Sequence, residues 1–253
     1  MFFDTQCASM LKRISALLLD FILLLIFATG GATIVSSIVK YDERYAEIEA
    51  IYDKYEEKYG VSFSKSSAEI EELSPEKQAV YEEAFKAVDS DLEFKRIYSM
   101  LISLQVVIIT LGVFFAYVIT DLVVPLFLRN GQTVGKKVFG LCLMQTDHTK
   151  VKPILLAVRT FLGKYTIETM VPVLIVYMIF YSAIGITGPI ILCLLLLLQI
   201  AILIITKNNS AIHDLLAGTV VVDMKSQMIF DDLAALEAYK KKIEQNTNEK
   251  GYV

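Results

Sequence analysis

The 253-residue chain has no Trp, two His, five Pro and three Cys, and only 21% of its residues are charged. Cys7, Cys142 and Cys193 lie far apart and none forms a Cys-x-x-Cys pair. That spacing excludes a disulfide framework and argues against a zinc centre. Neither H-E-x-x-H nor G-x-S-x-G occurs, and no nucleophile–base pair is visible, so no catalytic residue is assigned and no enzyme is expected. A net charge of −4 and a pI near 5.3 exclude a generally basic nucleic-acid binder. What the chain has instead is apolar surface: 55% hydrophobic residues and a mean hydropathy of +0.54. A soluble domain of this length carries a more polar surface.

The apolar residues fall in three blocks. Ile14–Val39 carries one charge, Asp20; Ile97–Leu128 carries one, Asp121; Thr169–Thr206 carries none. A bilayer core of about 30 Å needs about 20 helical residues, so the first two blocks each predict one span. The third would reach about 57 Å as a single helix, too long for one crossing. Gly185, Gly188 and Pro189 near its middle predict two spans joined by a tight turn. The first block is longer than a signal-peptide core, lacks a following A-x-A site and is interrupted by Asp20, which argues against cleavage. No apolar run precedes Cys7, so it does not read as a lipoprotein acceptor.

Charge sets the expected orientation. Lys12 and Arg13 precede the first block, and 129–168 holds seven basic residues against Asp147 and Glu168. Segment 40–96 holds nine basic and sixteen acidic residues. Basic excess marks cytoplasmic ends, so both termini and 129–168 are expected inside and 40–96 outside. The chain thus reads as an all-α polytopic membrane protein in six segments. These are 1–39 (N-terminus and first span), 40–96 (extracytoplasmic insert), 97–128 (second span), 129–168 (cytoplasmic strand and interfacial helix), 169–206 (third and fourth spans) and 207–253 (cytoplasmic C-terminal segment).

In the insert, Tyr45, Ile48, Ile51, Tyr52, Tyr55 and Tyr59 recur at helical steps and Gly60 ends the run. Ser74-Pro75-Glu76 reads as a helix start, followed by a second stripe through Val80, Tyr81, Ala84, Phe85 and Val88. The expectation is a helical hairpin whose acids form a solvated face. Lys137–Gln145 and Gly218–Asp223 read as short strands pairing in a cytoplasmic ribbon. A two-stranded ribbon alone is marginal, so Pro153–Lys164 is expected to cover it as an interfacial helix. Asp231–Gln245, acidic at its start and ending near Lys240-Lys241-Lys242, suits a helix dipole.

Gly131-Gln132-Thr133-Val134-Gly135-Lys136-Lys137 fails as a phosphate loop: three residues separate the glycines, and Lys137 stands where Ser or Thr should be. No nucleotide or other cofactor is expected. The motif reads instead as a tight turn at the membrane exit with lysines on anionic lipid. His213-Asp214 reads as a capping or salt-bridging element, because adjacent helical residues point different ways and cannot share a metal.

Three stretches together resemble the RDD family of membrane proteins: Lys12-Arg13-Ile14-Ser15 through Asp20, the Gly131–Leu141 run, and His213-Asp214-Leu215-Leu216-Ala217-Gly218-Thr219 through Val222. By match, the arginine and two aspartates that name the family are Arg13, Asp20 and Asp214. The resemblance implies a multi-span bacterial membrane protein for which transport, including cation/proton antiport, is the usual suspicion. The 40–96 insert and the tail after Asp223 look like additions to the family core.

Counting from the cytoplasmic ends, Asp20, Asp121 and Gln199 all fall about 10 Å inside the membrane. A lipid-facing carboxylate there costs about 2.5–3.5 kcal/mol, so both acids should face inward and share one cavity. Asp20, Asp121 and Gln199 are the ion- or proton-binding candidates; Arg13, Arg159, His213 and Asp214 are their charge partners. A polar clasp, with the carboxylates neutralised by arginine, is the alternative. On helix one, Thr29, Gly30, Thr33 and Ser36 read as close-packing residues. The expected function is a transporter coupling cation or small-solute movement to protons in the cell membrane. Four spans are few for that, which favours a homo-oligomer. The alternative is a non-enzymatic scaffold or accessory subunit using the insert as a partner surface.

Overall fold

The computed structural model describes Thr5 and residues 8–250, without the side chains of 129 and 246–250. Cys7 lies outside the described residues. The chain divides into two compact units, one made of 29–112 and the other of the stretches up to 28 and from 113 onward. Four helices are long and apolar enough to cross a membrane: α1 (Met10–Ile38), α5 (Leu92–Phe127), α7 (Pro153–Phe180) and α8 (Thr187–Ile205). Leu17, Leu18, Phe21 and Ile22 of α1 and Leu194, Leu196 and Leu197 of α8 are exposed. Large apolar side chains presented in such numbers suit hydrocarbon rather than water.

The 29–112 unit contains α2 (Tyr41–Tyr59), α3 (Ser67–Glu71) and α4 (Pro75–Ser90). Gly60 closes α2 in the left-handed region at φ 62°, donating its N–H to the Glu56 carbonyl. Pro75 starts α4 from inside its first turn. The apolar stripes meet as expected: Ile48 and Ile51 pack with Val88, Phe94, Ile97 and Leu101. The expected two-helix hairpin gains one extra element, α3, because Ser66 and Glu69 form a reciprocal capping box that nucleates a helical turn. In the close approach of α1 to α5, a Cβ on Gly31 would lie 3.3 Å from the Gly112 carbonyl oxygen. Gly30, expected in that packing role, has no such neighbour; Gly31 takes it.

The second unit holds the ribbon. Strands β1 (Leu141–Gln145) and β2 (Thr219–Asp223) pair antiparallel, with Leu141 opposite Asp223 and Gln145 opposite Thr219. Leu141 and Leu143 pack on Ala16, Leu156 and Val221, while Cys142, Met144, Val220 and Val222 form the other buried face. Both faces are covered, so a ribbon that would be marginal alone is held in place. The strand expected from Lys137 begins only at Leu141. Val134–Val138 instead form a helical turn, α6, capped by the Thr133 hydroxyl, and Gly140 turns the chain at φ 68°. Gly218, expected in β2, is likewise a turn residue at φ 60°.

The largest departure concerns Pro153–Lys164. It is not a separate interfacial helix, and no boundary falls at 168. It is the front of α7, which runs unbroken to Phe180 with π-helical winding over Val158–Met170. Arg159, Lys164 and Glu168 are tolerated inside this helix because each has an oppositely charged or histidine partner within the unit. Gly185, at φ 48°, lies in the turn to α8. Gly188 lies in the first turn of α8, where a Cβ would come within 2.4 Å of Ile179. Two further helices complete the unit, the short α9 (Ile212–Leu216) and the longer α10 (Leu233–Lys250).

Candidate functional site

The glycine-rich run after α5 folds against α1. Asn130 and Gly131 turn the chain through positive φ, and Gln132 donates to the Leu141 carbonyl at 2.7 Å. Asp20 of α1 accepts from the Thr133 hydroxyl at 2.5 Å and from the Gly135 N–H at 2.7 Å. Gly135 must be glycine: a Cβ there would sit 2.2 Å from the Ala16 carbonyl oxygen. The motif is therefore a docking loop for α1.

Docking turns Lys136 inward. Its side chain is buried, not spread on lipid as expected, and its Nζ donates to the Thr133 hydroxyl at 3.2 Å. Burial, reinforced by the Lys164 and Arg159 cations, pushes the Lys136 ammonium down to about 7, against the opposing pull of Asp20 and Asp121. Lys137, next in sequence, is exposed.

Three further pairs surround it. Lys164 pairs with Asp121, whose other oxygen accepts from Thr120 at 2.9 Å. Arg159 donates Nε to Asp214 at 2.9 Å, and the Thr219 hydroxyl donates to the same oxygen at 3.1 Å. Glu168 accepts from the His213 backbone N–H at 3.0 Å and contacts its Nδ1 at 2.7 Å. Gly163 permits that approach, because a Cβ there would come 2.4 Å from the His213 Cβ. Burial and the neighbouring Arg159 and Lys164 cations lower the His213 imidazole below its ordinary range, although Asp214 and Glu168 pull it upward. Burial opposes ionisation of Asp214, yet Arg159 and His213 outweigh it and hold that carboxyl well below the carboxylate range.

Asp20 and Asp121 both act on Lys136, so they belong to one charged cluster, but each has its own hydrogen-bond donors. Gln199 is half-buried on α8 and among the described residues makes no hydrogen bond to the cluster. Arg13 does not reach Asp20; it donates to the carbonyls of Asn209 at 2.7 Å and Val221 at 2.6 Å, tying α1 to β2. Lys136, Lys164 and Glu168 were missed by sequence reasoning. The five-residue step from Arg159 to Lys164, too long for an α-helical turn but matched by π-winding, was a usable signal. A cavity of about 180 Å³ opens beside these groups, with Arg13, Asp20, Lys136, Arg159, Lys164 and Asp214 among its lining. Among the described residues no group of three or more His, Cys, Asp and Glu side chains is placed to hold a metal.

A family model described as the RDD family matches residues 7–218. The chain belongs to the RDD family. No curated protein and no solved structure matches it. Within this RDD protein, the three positions carried by the resemblance have separate structural tasks. Arg13 ties α1 to β2, Asp20 anchors the glycine loop, and Asp214 neutralises Arg159.

The buried lysine has a measurable consequence. Its folded pKa is lowered from 10.5 to about 7, so between those values the unfolded chain binds more protons. Stability should therefore rise as pH rises through that window, and the gain should be missing below it. Thermal unfolding across the window should show a positive slope in wild type that is flattened in Lys136→Met. Equal slopes in the two proteins would contradict a buried, destabilising ammonium.

Proposed function

We propose that this RDD protein is a non-enzymatic membrane transporter that moves a small solute in exchange for, or together with, protons. The observation that carries the reading is the cavity bordered by Lys136, a cation buried among other ions within a unit of apolar helices. Isolated ions are expensive in such surroundings and concentrate where a pathway needs them. Lys136, whose ammonium is pushed down to about 7, and His213, whose imidazole is pushed below its ordinary range, are the groups suited to exchanging protons. Asp20 and Asp121 serve as anchors rather than as the ion site, since each is already engaged by donors. A small solute therefore fits the cavity better than a bare cation. The charge distribution supports a cell-membrane topology with both termini cytoplasmic and 40–96 outside. With four candidate spans, a homo-oligomer suits transport.

Proteoliposomes loaded with a pH-sensitive dye test the reading. Pulses of sodium, potassium or phosphate across an imposed pH gradient should move protons in wild type, with the rate reduced at least about tenfold in Lys136→Met. Dye traces matching empty liposomes for every pulse would remove the transport reading and leave a scaffold role.

A further inference from the structure

We propose that the cavity beside Lys136 is an oxyanion site, taking a phosphate or carboxylate group either as a free small anion or as the headgroup of an anionic lipid. The inference rests on the reading of this cavity as the solute site and assigns the chemical class of that solute.

The argument is an account of donors and acceptors. The acids around the cavity are occupied. Asp20 accepts from Thr133 and Gly135, and Asp214 accepts from Arg159 and Thr219. Behind them, Asp121 is held by Lys164 and Thr120, and Glu168 by His213. The cations are not used up in the same way. Arg159 is 2% exposed, yet among the described residues it uses only its Nε, leaving the two Nη groups without a protein acceptor. Lys136 gives one of three ammonium protons to Thr133, and Lys164 gives one to Asp121. All three line the cavity. What lines the cavity is therefore a set of N–H donors from two lysines and a guanidinium that exceed their protein acceptors, beside two carboxylates, Asp20 and Asp214, that each already accept two hydrogen bonds.

Charged donors that open on a cavity and lack a protein acceptor carry a desolvation cost unless something in the cavity accepts from them. A ligand that supplies acceptor oxygens and negative charge removes that cost, whereas a cation or a pure donor adds to it. Guanidinium and ammonium groups converging on one space match the acceptor geometry of phosphate and carboxylate. The size agrees, since a cavity of about 150 Å³ already holds a benzene-sized molecule. Met10, Ile14 and Leu17 of α1, each more than 40% exposed, form part of the same lining. An apolar edge leading to charged donors is also compatible with a headgroup whose chains stay outside.

The test is equilibrium binding to the full chain, so it stands apart from flux. The chain lacks Trp, so thermal unfolding in maltoside micelles is followed by far-UV circular dichroism. Inorganic phosphate is titrated at low-millimolar concentration and constant ionic strength, where general salting effects are small. Choline chloride is the control. In parallel, micelles are mixed with phosphatidylglycerol or phosphatidylcholine and retained lipid is read by native mass spectrometry. A phosphate-dependent rise in the midpoint of wild type, weakened roughly ten- to a hundredfold in Lys136→Gln, identifies a free oxyanion. No phosphate effect, but retention of phosphatidylglycerol over phosphatidylcholine that Lys136→Gln loses, identifies a headgroup. Response to neither ligand, equal response to choline, or full binding by a folded Lys136→Gln overturns the site. If Lys136→Gln does not fold, Lys136→Arg takes its place: retained binding supports the site, and lost binding in a folded protein overturns it. Binding without flux removes transport and keeps the site; flux without binding does the reverse.

Discussion

Asp214→Ala should destabilise the folded protein by about 3–5 kcal/mol. Asp214 and Arg159 are the most completely buried ion pair in the structure's described part, with side-chain exposures of 5% and 3%. Removing the carboxylate leaves a guanidinium that cannot lose its proton without the anion that neutralises it. The Thr219 hydroxyl at 3.1 Å also loses its acceptor. The cost is that of an uncompensated buried charge, not the net worth of the pair, and this separates two variants. Arg159→Met combined with Asp214→Leu removes both charges and should recover most of the loss. Unfolding midpoints of wild type, the single variant and the double variant in one detergent decide it. A single variant within about 0.5 kcal/mol of wild type would mean that water or another group reaches Arg159. A double variant no better than the single would mean that shape, rather than charge, dominates there.

Gly135→Ala is the second large effect, and its origin is steric. The new methyl group would lie 2.2 Å from the Ala16 carbonyl oxygen and 2.9 Å from the Asp20 carboxyl carbon. The first obstacle is helix backbone, which cannot rotate away as a side chain can. The α6 turn would have to back off α1, lengthening the Gly135 N–H bond to Asp20 and loosening the Thr133 bond beside it. Overpacking and a weakened charge-assisted hydrogen bond together should cost about 3 kcal/mol or more. Lys136, one residue on, should become accessible. Amine labelling of Lys136, followed by peptide mass spectrometry, should therefore rise in Gly135→Ala relative to wild type while Lys137 stays unchanged. An alanine variant with wild-type stability and an unlabelled Lys136 would contradict the docking-loop assignment.

Much of the architecture was legible because it is written in short-range pattern. Apolar runs long enough for a bilayer marked α1, α5 and α8, and the stripes of 40–96 marked α2 and α4 with Gly60 as the stop. The β-branched run at 219–223 marked β2, and the resemblance carried by Arg13, Asp20 and Asp214 reached the right family. These signals depend on residues a few positions apart, where helix and strand periods act.

The site was legible in its membership more than in its pairings. Asp20, Asp121, Arg159, His213 and Asp214 all fall in the cluster; Asp20 and Asp121 stood out as lone ions in apolar blocks, Asp214 came through the family resemblance with His213 beside it, and Arg159 was read as a cation of the 129–168 segment. Which ion meets which did not follow from depth counting. Depth places groups along the membrane normal and says nothing about the rotation of each helix around its own axis. That rotation gives Asp121 to Lys164, Asp214 to Arg159 and Asp20 to the glycine loop, and leaves Gln199 aside. The start of α7 was hidden for a related reason. Arg159, Lys164 and Glu168 interrupt any scan for apolarity, and only partners from α5 and α9, distant in sequence, make their burial affordable. Lys136 and Lys137 show the limit most simply. As neighbours of one residue type they are indistinguishable in sequence, and only the docking of Gly135 on α1 turns the first into the protein and the second out.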